Sequence, residues 1–190
     1  MSVLKIGVII GTTREGRYGD TIANWIYKIA SARKEMEFEI IDLRNYPLPL
    51  YNEEKPPIYE PAKHPVAQQL AAKMASLDGY VFITAEYNHA PSGALKNAID
   101  HLFPELARKP ASFVGYGGVG AARAVEQLRL ILVELRVAPL RDAVHVGVAE
   151  LIGIRQQGKT FNDFPYLSQS AERMLDKLQW WAATLKKGRE

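Results

Sequence analysis

Four stretches of almost unbroken apolar sequence limit what this chain can fold into: VLKIGVII at 3–10, FEIIDL at 38–43, YVFITA at 80–85 and ASFVGY at 111–116. A strand with one wet face alternates apolar and polar residues; these do not, so both faces need cover. A parallel sheet between two layers of helices supplies that cover. A weaker fifth strand is predicted over 143–148. The segments between repeat with helical period. Their apolar stripes are Ile22, Ile26, Ile29 and Ala30; Val66, Leu70, Met74 and Leu77; Leu95, Ile99 and Leu102; Ala121, Val125, Leu128, Leu132 and Leu135; and Ala171, Met174, Leu175, Leu178, Ala182 and Leu185. Strand and helix alternate five times, which predicts one open, doubly wound α/β domain over residues 1–190. Ligands of such sheets bind beyond the carboxyl ends of the strands. Loops 11–21, 85–93 and 116–120 therefore share one rim.

The rest of the composition excludes more than it assigns. Net charge is only +3, with lysines and arginines scattered, so nucleic acid is not an expected partner. No apolar run approaches the roughly 20 residues of a membrane span. The opening segment reads as a buried strand rather than a signal peptide. Zero cysteines exclude disulfides and thiolate metal sites, consistent with a cytoplasmic protein. Residues 46–65, YPLPLYNEEKPPIYEPAKHP, hold six prolines and no helical period. A segment of that length without regular structure is either a stiff surface loop, a wall over the ligand site, or an arm reaching a second subunit.

Each rim loop carries more chemistry than a connector needs. GTTREGRYGDT, residues 11–21, leaves a strand and opens a helix with three threonines, two arginines and three glycines. Free amides at a helix start, hydroxyls and guanidiniums suit a phosphate. The loop lacks the lysine of a nucleotide P-loop and matches no dinucleotide fingerprint. Glu86, Tyr87, Asn88 and His89 crowd the second loop, stiffened by Pro91. Tyr116-Gly117-Gly118-Val119-Gly120 offers bare backbone against which a flat ligand can lie.

Gly11-Thr12-Thr13-Arg14 with Gly16 and Arg17, Glu86-Tyr87-Asn88 followed by Leu95-Lys96-Asn97, and Tyr116-Gly117-Gly118 together resemble the NADPH-dependent FMN reductases, a family that includes quinone, azo and chromate reductases. The likeness runs in order over about the first 140 residues. It implies a flavodoxin-like three-layer sandwich with a five-stranded parallel sheet in order 2-1-3-4-5. It further implies an FMN cofactor, NADPH or NADH as co-substrate, a small electron acceptor, and a homodimer or homotetramer. FMN would be held by Thr12, Arg14, Arg17, Tyr18, Gly19, Asp20 and Thr21 at its phosphate. Ala85, Glu86, Tyr87 and Asn88 would follow the ribityl chain and ring, and Tyr116, Gly117 and Gly118 would meet the pyrimidine edge. Thr12 and Arg17 stand where serines are usual. Ala85 replaces a proline, and Ser92-Gly93 replaces Pro-Gly.

Within that resemblance the redox chemistry belongs to the flavin, and no side chain is named as acid or base. The Gly117 and Gly118 amides, before a helix expected over 119–136, are candidates for facing negative charge on the reduced cofactor. Residues 116–123 contain no acid, which favours two-electron chemistry over a one-electron carrier. Arg17 reaches the phosphate or points to solvent; Glu86 accepts from loop amides or faces water. Asn88 is the candidate for a direct polar contact, and Asp20 for the cap of the first helix. Lys96 and Asn97 support a helix start. Trp180 and Trp181 lie about 100° apart on the last helix, so both cannot face one core. A flavin carrier served by a separate reductase, and a flavin-free phosphate-binding protein, are the competing readings.

Overall fold

The structure, a computed structural model, describes residues 3–189; Met1, Ser2 and Glu190 of the expected 1–190 domain lie outside the described residues. Five strands, β1 (Leu4–Ile10), β2 (Met36–Asp42), β3 (Gly79–Ala85), β4 (Pro110–Tyr116) and β5 (Ala138–Val146), form one sheet in order β2-β1-β3-β4-β5. All four pairings are parallel. Among the described residues six α-helices complete the layers: α1 (Gly19–Ala30), α2 (Pro65–Ala75), α3 (Gly93–Asp100), α4 (Ala122–Glu134), α5 (Val148–Gln156) and α6 (Pro165–Lys187).

The expected order and layering are therefore present, and the burial pattern gives the reason. Every residue of central β3 and β4 is buried, whereas edge strand β2 alternates. Two apolar clusters fill the space between layers. One joins α1 and α6 to the sheet through Ile22, Ile26, Met174 and Leu178; the other joins α2, α3 and α4 through Leu70, Leu95, Leu128 and Leu132.

The structure departs from the sequence reading chiefly at β5, α4 and α5. β5 begins five residues earlier than expected, at Ala138 rather than 143, and ends at Val146. Arg141 and Asp142 obscured it; they are tolerated because β5 is an edge strand. α4 begins at Ala122, not 119, because Gly120 and Ala121 both take left-handed backbone and hold the chain out of helix. α5 was not anticipated. Only Gly153 of its nine residues is buried, so it carries no apolar stripe to read. Trp180 and Trp181 meet edge-to-face at 5.3 Å, and both are exposed.

Buried Asp78 ties the amino end of the sheet together. It accepts from the Lys5 amide at 3.0 Å, Lys186 Nζ at 2.9 Å and Arg189 Nη2 at 3.0 Å. Burial pushes its carboxyl upward, but the amide and two cations outweigh that and hold it below the ordinary 3.8. A carboxyl lowered on folding stabilises the protein above its unfolded value and loses that contribution as pH falls through the folded one. Asp78→Asn is accordingly expected to destabilise by about 1–3 kcal/mol at pH 7. The gap to wild type, followed by thermal unfolding, should narrow as pH falls below about 4. A gap that stays constant to pH 2 would rule the charge out as the cause.

Candidate functional site

The first, third and fourth strands end side by side, and specific bonds lock their loops together. The Gly11 amide donates to the Ile83 carbonyl at 2.9 Å, and its carbonyl accepts from the Ser92 hydroxyl. The Thr12 and Tyr116 hydroxyls bond at 3.1 Å in the interior, across 104 residues of chain. Burial pushes the Tyr116 phenol upward, so it stays protonated in the neutral range. Gly19 opens α1 directly against this pair. Thr12 and Tyr116 thus form a floor beneath the three loops. The three expected loops converge.

Arg14 is exposed and makes no ion pair among the described residues. Gly19, Asp20 and Thr21 present first-turn amides that no helical carbonyl can satisfy. Tyr18 precedes them; its hydroxyl is buried without a partner among the described residues, and the Arg155 guanidinium lies 5.4 Å above its ring.

Arg17 requires a correction, since it neither points to solvent nor offers a free donor. Its side chain is 1% exposed. Nε donates to Asp20 at 3.0 Å, Nη1 and Nη2 to the two oxygens of Asp42 at 2.7 and 2.6 Å, and further bonds run to Asp20 and the Thr12 carbonyl. All five guanidinium hydrogens are committed. Asp20 is drawn into the same cluster and does not cap α1; Tyr18 holds the cap position without a side-chain bond. Asp42 is pushed upward by burial, yet the Arg17 and Arg44 contacts leave it below the usual carboxylate range.

The second loop is a two-residue hairpin. Tyr87 and Ala90 exchange backbone bonds at 2.9 and 3.1 Å, with Asn88 at φ 51° and His89 at φ 69°. Two successive left-handed residues define a type I′ turn, and Asn and His are among the side chains that best tolerate that conformation. Both side chains are exposed, so their identity answers first to the turn. Tyr87 packs against the core cluster of α1 and α6. Glu86, with 6% of its side chain exposed, accepts from the Arg123 and Ala124 amides at 3.2 and 3.4 Å and from Arg123 Nε at 2.6 Å. Of its two expected states, the bonded one holds: it caps α4. Burial raises its carboxyl, but Arg123 and the helix amides more than reverse this.

In the third loop the Gly117 amide donates to the Val146 carbonyl at 3.1 Å. It is therefore not available to a ligand, contrary to expectation. The Gly118 amide has no acceptor among the described residues. A Cβ built on Gly118 would meet nothing within 4 Å, and on Gly117 nothing nearer than the Glu86 amide at 3.9 Å. The ridge is bare backbone beside open space.

Three residues, Asp42, Arg44 and Gln127, escaped the sequence reading, and a fourth, Asn97, was read only as support for a helix start. Asp42 and Arg44 sit at the end of β2, on the rim that the carboxyl-end rule already marks. Gln127 bonds the His89 carbonyl at 2.8 Å. Asn97 pins the proline-rich segment, accepting from the Tyr51 amide at 2.9 Å and donating to the Pro49 carbonyl at 2.8 Å. That segment walls a cleft of about 310 Å³ beside Thr13, Arg44 and Tyr46. Lys96 pairs with Asp100 rather than with the helix start.

An unpaired guanidinium, a helix start with open amides, an orphaned phenol and a bare glycine ridge fit a flat cofactor bearing a phosphate, which is the make-up of FMN. The sequence comparisons agree. A family model described as NADPH-dependent FMN reductase matches residues 4–150. An NAD(P)H-dependent FMN reductase of Schizosaccharomyces pombe is 35% identical over 182 residues, covering 87% of this chain and 91% of its own. A quinone reductase of Escherichia coli is 33% identical over 158 residues, covering 79% and 77%. The solved structure of a flavoenzyme NAD(P)H:(acceptor) oxidoreductase from Paracoccus denitrificans superposes with a TM-score of 0.71 at 22% identity, over 96% of this chain and 98% of that one, which speaks for the fold. With its three rim loops joined and its first 150 residues matched almost throughout, this chain belongs to the NADPH-dependent FMN reductase family.

Proposed function

We propose that this flavoprotein oxidoreductase holds FMN across the three joined loops and passes electrons from NAD(P)H to a small acceptor, a quinone first among them. The bonds Thr12–Tyr116 and Gly11–Ser92, which bring the loops to one crevice, carry this reading. The redox chemistry is the cofactor's, which when bound takes electrons as hydride from the nicotinamide and yields them to the acceptor. The chain's own residues bind and orient. Arg14 and the amides of the first loop and first turn of α1 hold the phosphate. The 85–88 backbone and Tyr87 form the wall. Tyr116 supports the floor, and Gly117 with Gly118 leaves room for the ring's edge. The Gly118 amide, rather than that of Gly117, is the donor offered to that edge.

The working form is a homodimer, or a pair of such dimers. Support comes from α4, which turns Leu130 and Val133 outward on its exposed face. We place the protein in the cytoplasm, a reading that the cysteine-free composition supports. The quinone assignment draws on the named activity of the 33% identical relative.

Reconstitution with FMN should give a yellow complex that NADPH bleaches without oxygen and a quinone recolours. A colourless protein would sink the reading, and a complex that NADPH cannot bleach would make the chain a carrier. Gly118→Ala places a methyl in open space, so Tm should hold within the scatter of a surface change, about 0.5 kcal/mol. FMN affinity measured by fluorescence should nevertheless fall several-fold. Unchanged affinity would remove Gly118 from the site.

A further inference from the structure

We propose that Arg17 and Arg44 are positioning residues that hold the phosphate loop as a preformed anion cradle while touching no part of the cofactor. The inference rests on the FMN reading. Three successive carbonyls of the loop are held from the β2 side. The Thr12 carbonyl accepts from Arg17 Nη1, the Thr13 carbonyl from Arg44 Nε at 3.2 Å, and the Arg14 carbonyl from Arg44 Nη2 at 2.6 Å. The Arg14 carbonyl also accepts the Arg17 amide at 3.2 Å. In a trans peptide the C=O and the following N–H point in opposite directions. Fixing these three carbonyls towards the guanidiniums therefore sends the Thr13, Arg14 and Glu15 amides to the other side. None of those amides has an acceptor among the described residues. Consecutive amides gathered on one side form an anion-binding concavity.

The guanidiniums are fixed in turn. Asp42 Oδ1 accepts both Arg17 Nη1 at 2.7 Å and the Arg44 amide at 2.9 Å, and Asp20 closes the cluster from α1. Two arginines and two aspartates cancel in charge, so the cluster neither attracts nor repels a dianion strongly. Its contribution is orientation. Attraction is left to Arg14, whose guanidinium has no ion partner among the described residues. Without Arg44 the Thr13 and Arg14 carbonyls can rotate towards the crevice, where they would face the phosphate oxygens.

The test titrates FMN and riboflavin, which lacks the phosphate, into the flavin-free protein and follows flavin fluorescence. Arg44 is partly exposed, so Arg44→Met should fold normally. FMN Kd should rise by about tenfold, the effect of losing two charge-assisted bonds that shape the loop. Riboflavin Kd should stay within about twofold, because the ring and ribityl contacts are untouched. Arg44→Lys, one donor group where two carbonyls need holding, should recover part of the loss. Arg17→Met alone strands two carboxylates and is expected to lower Tm; paired with Asp42→Asn it should regain Tm while FMN binding stays weak. An unchanged ratio of FMN to riboflavin Kd in Arg44→Met overturns the proposal, and so does an equal loss for both ligands. A wild-type protein that binds riboflavin as tightly as FMN overturns the phosphate reading itself, before any variant is made.

Discussion

Gly115→Ala is expected to lower stability by about 3 kcal/mol, which for a chain of this size is roughly 6–12 °C in Tm. Gly115 is the penultimate residue of β4, and the Tyr116–Gly120 loop folds back across it. A Cβ there would lie 2.4 Å from the Gly120 carbonyl oxygen and 3.0 Å from the Ala121 Cβ. Neither is the tip of a flexible side chain. The Gly120 carbonyl also accepts from His145 Nδ1 at 2.8 Å, and Gly120 itself sits at φ 63° against the His145 backbone, so the loop cannot slide aside. Relief can come only by lifting the loop, which opens the glycine ridge and weakens FMN binding by at least about tenfold. Thermal unfolding with and without FMN reads both effects. A Tm within 2 °C of wild type, a shift of roughly 1 kcal/mol or less, would show that the loop yields freely.

Gly11→Ala should act at the opposite seam, between the first and second loops. Its Cβ would stand 2.7 Å from Leu95 Cδ2 and 2.9 Å from the Ile83 carbonyl oxygen. The leucine tip can rotate; the carbonyl cannot, because it already accepts the Gly11 amide. Separating the strand ends also breaks the Ser92 bond to the Gly11 carbonyl, and with it the anchor between the phosphate loop and the cap of α3. The expected result is a stability loss of about 1–3 kcal/mol and a rise in FMN Kd of about tenfold to a hundredfold. Adding Leu95→Ala removes the side-chain clash alone and should restore little. Full restoration in the double variant would mean that the backbone contact is harmless.

Both predictions concern glycines whose close contacts no sequence pattern reveals, Gly11 in a loop and Gly115 within a strand. The alternation of apolar runs and helical stripes was enough to place three loops on one rim, since strand burial and helical period are properties of neighbouring residues. The Glu-Tyr-Asn and Leu-Lys-Asn runs were legible for the same reason. α5 was not, because a helix lying on a surface with one buried glycine leaves no periodic trace.

Side-chain partnerships were where the reading fell short. Asn88 and His89 suggested ligand chemistry, yet the backbone uses them first as a left-handed turn. Arg17 suggested a phosphate contact, yet Asp42, 25 residues away, takes it. Glu86 was balanced between water and amides until α4 brought Arg123 across 37 residues. The Gly117 amide was assigned to the flavin and belongs to Val146. In each instance several partners satisfy the chemistry, and the choice rests on distances near 3 Å, since hydrogen bonds are lost beyond about 3.5 Å. By itself the sequence determined the sheet, its layers and the rim, because periodicity and composition act through chain neighbours, while its three loop motifs carried the family resemblance. Only the tertiary structure decided which charges cancel and which amides stay open, because those pairings join residues that the fold alone brings into contact.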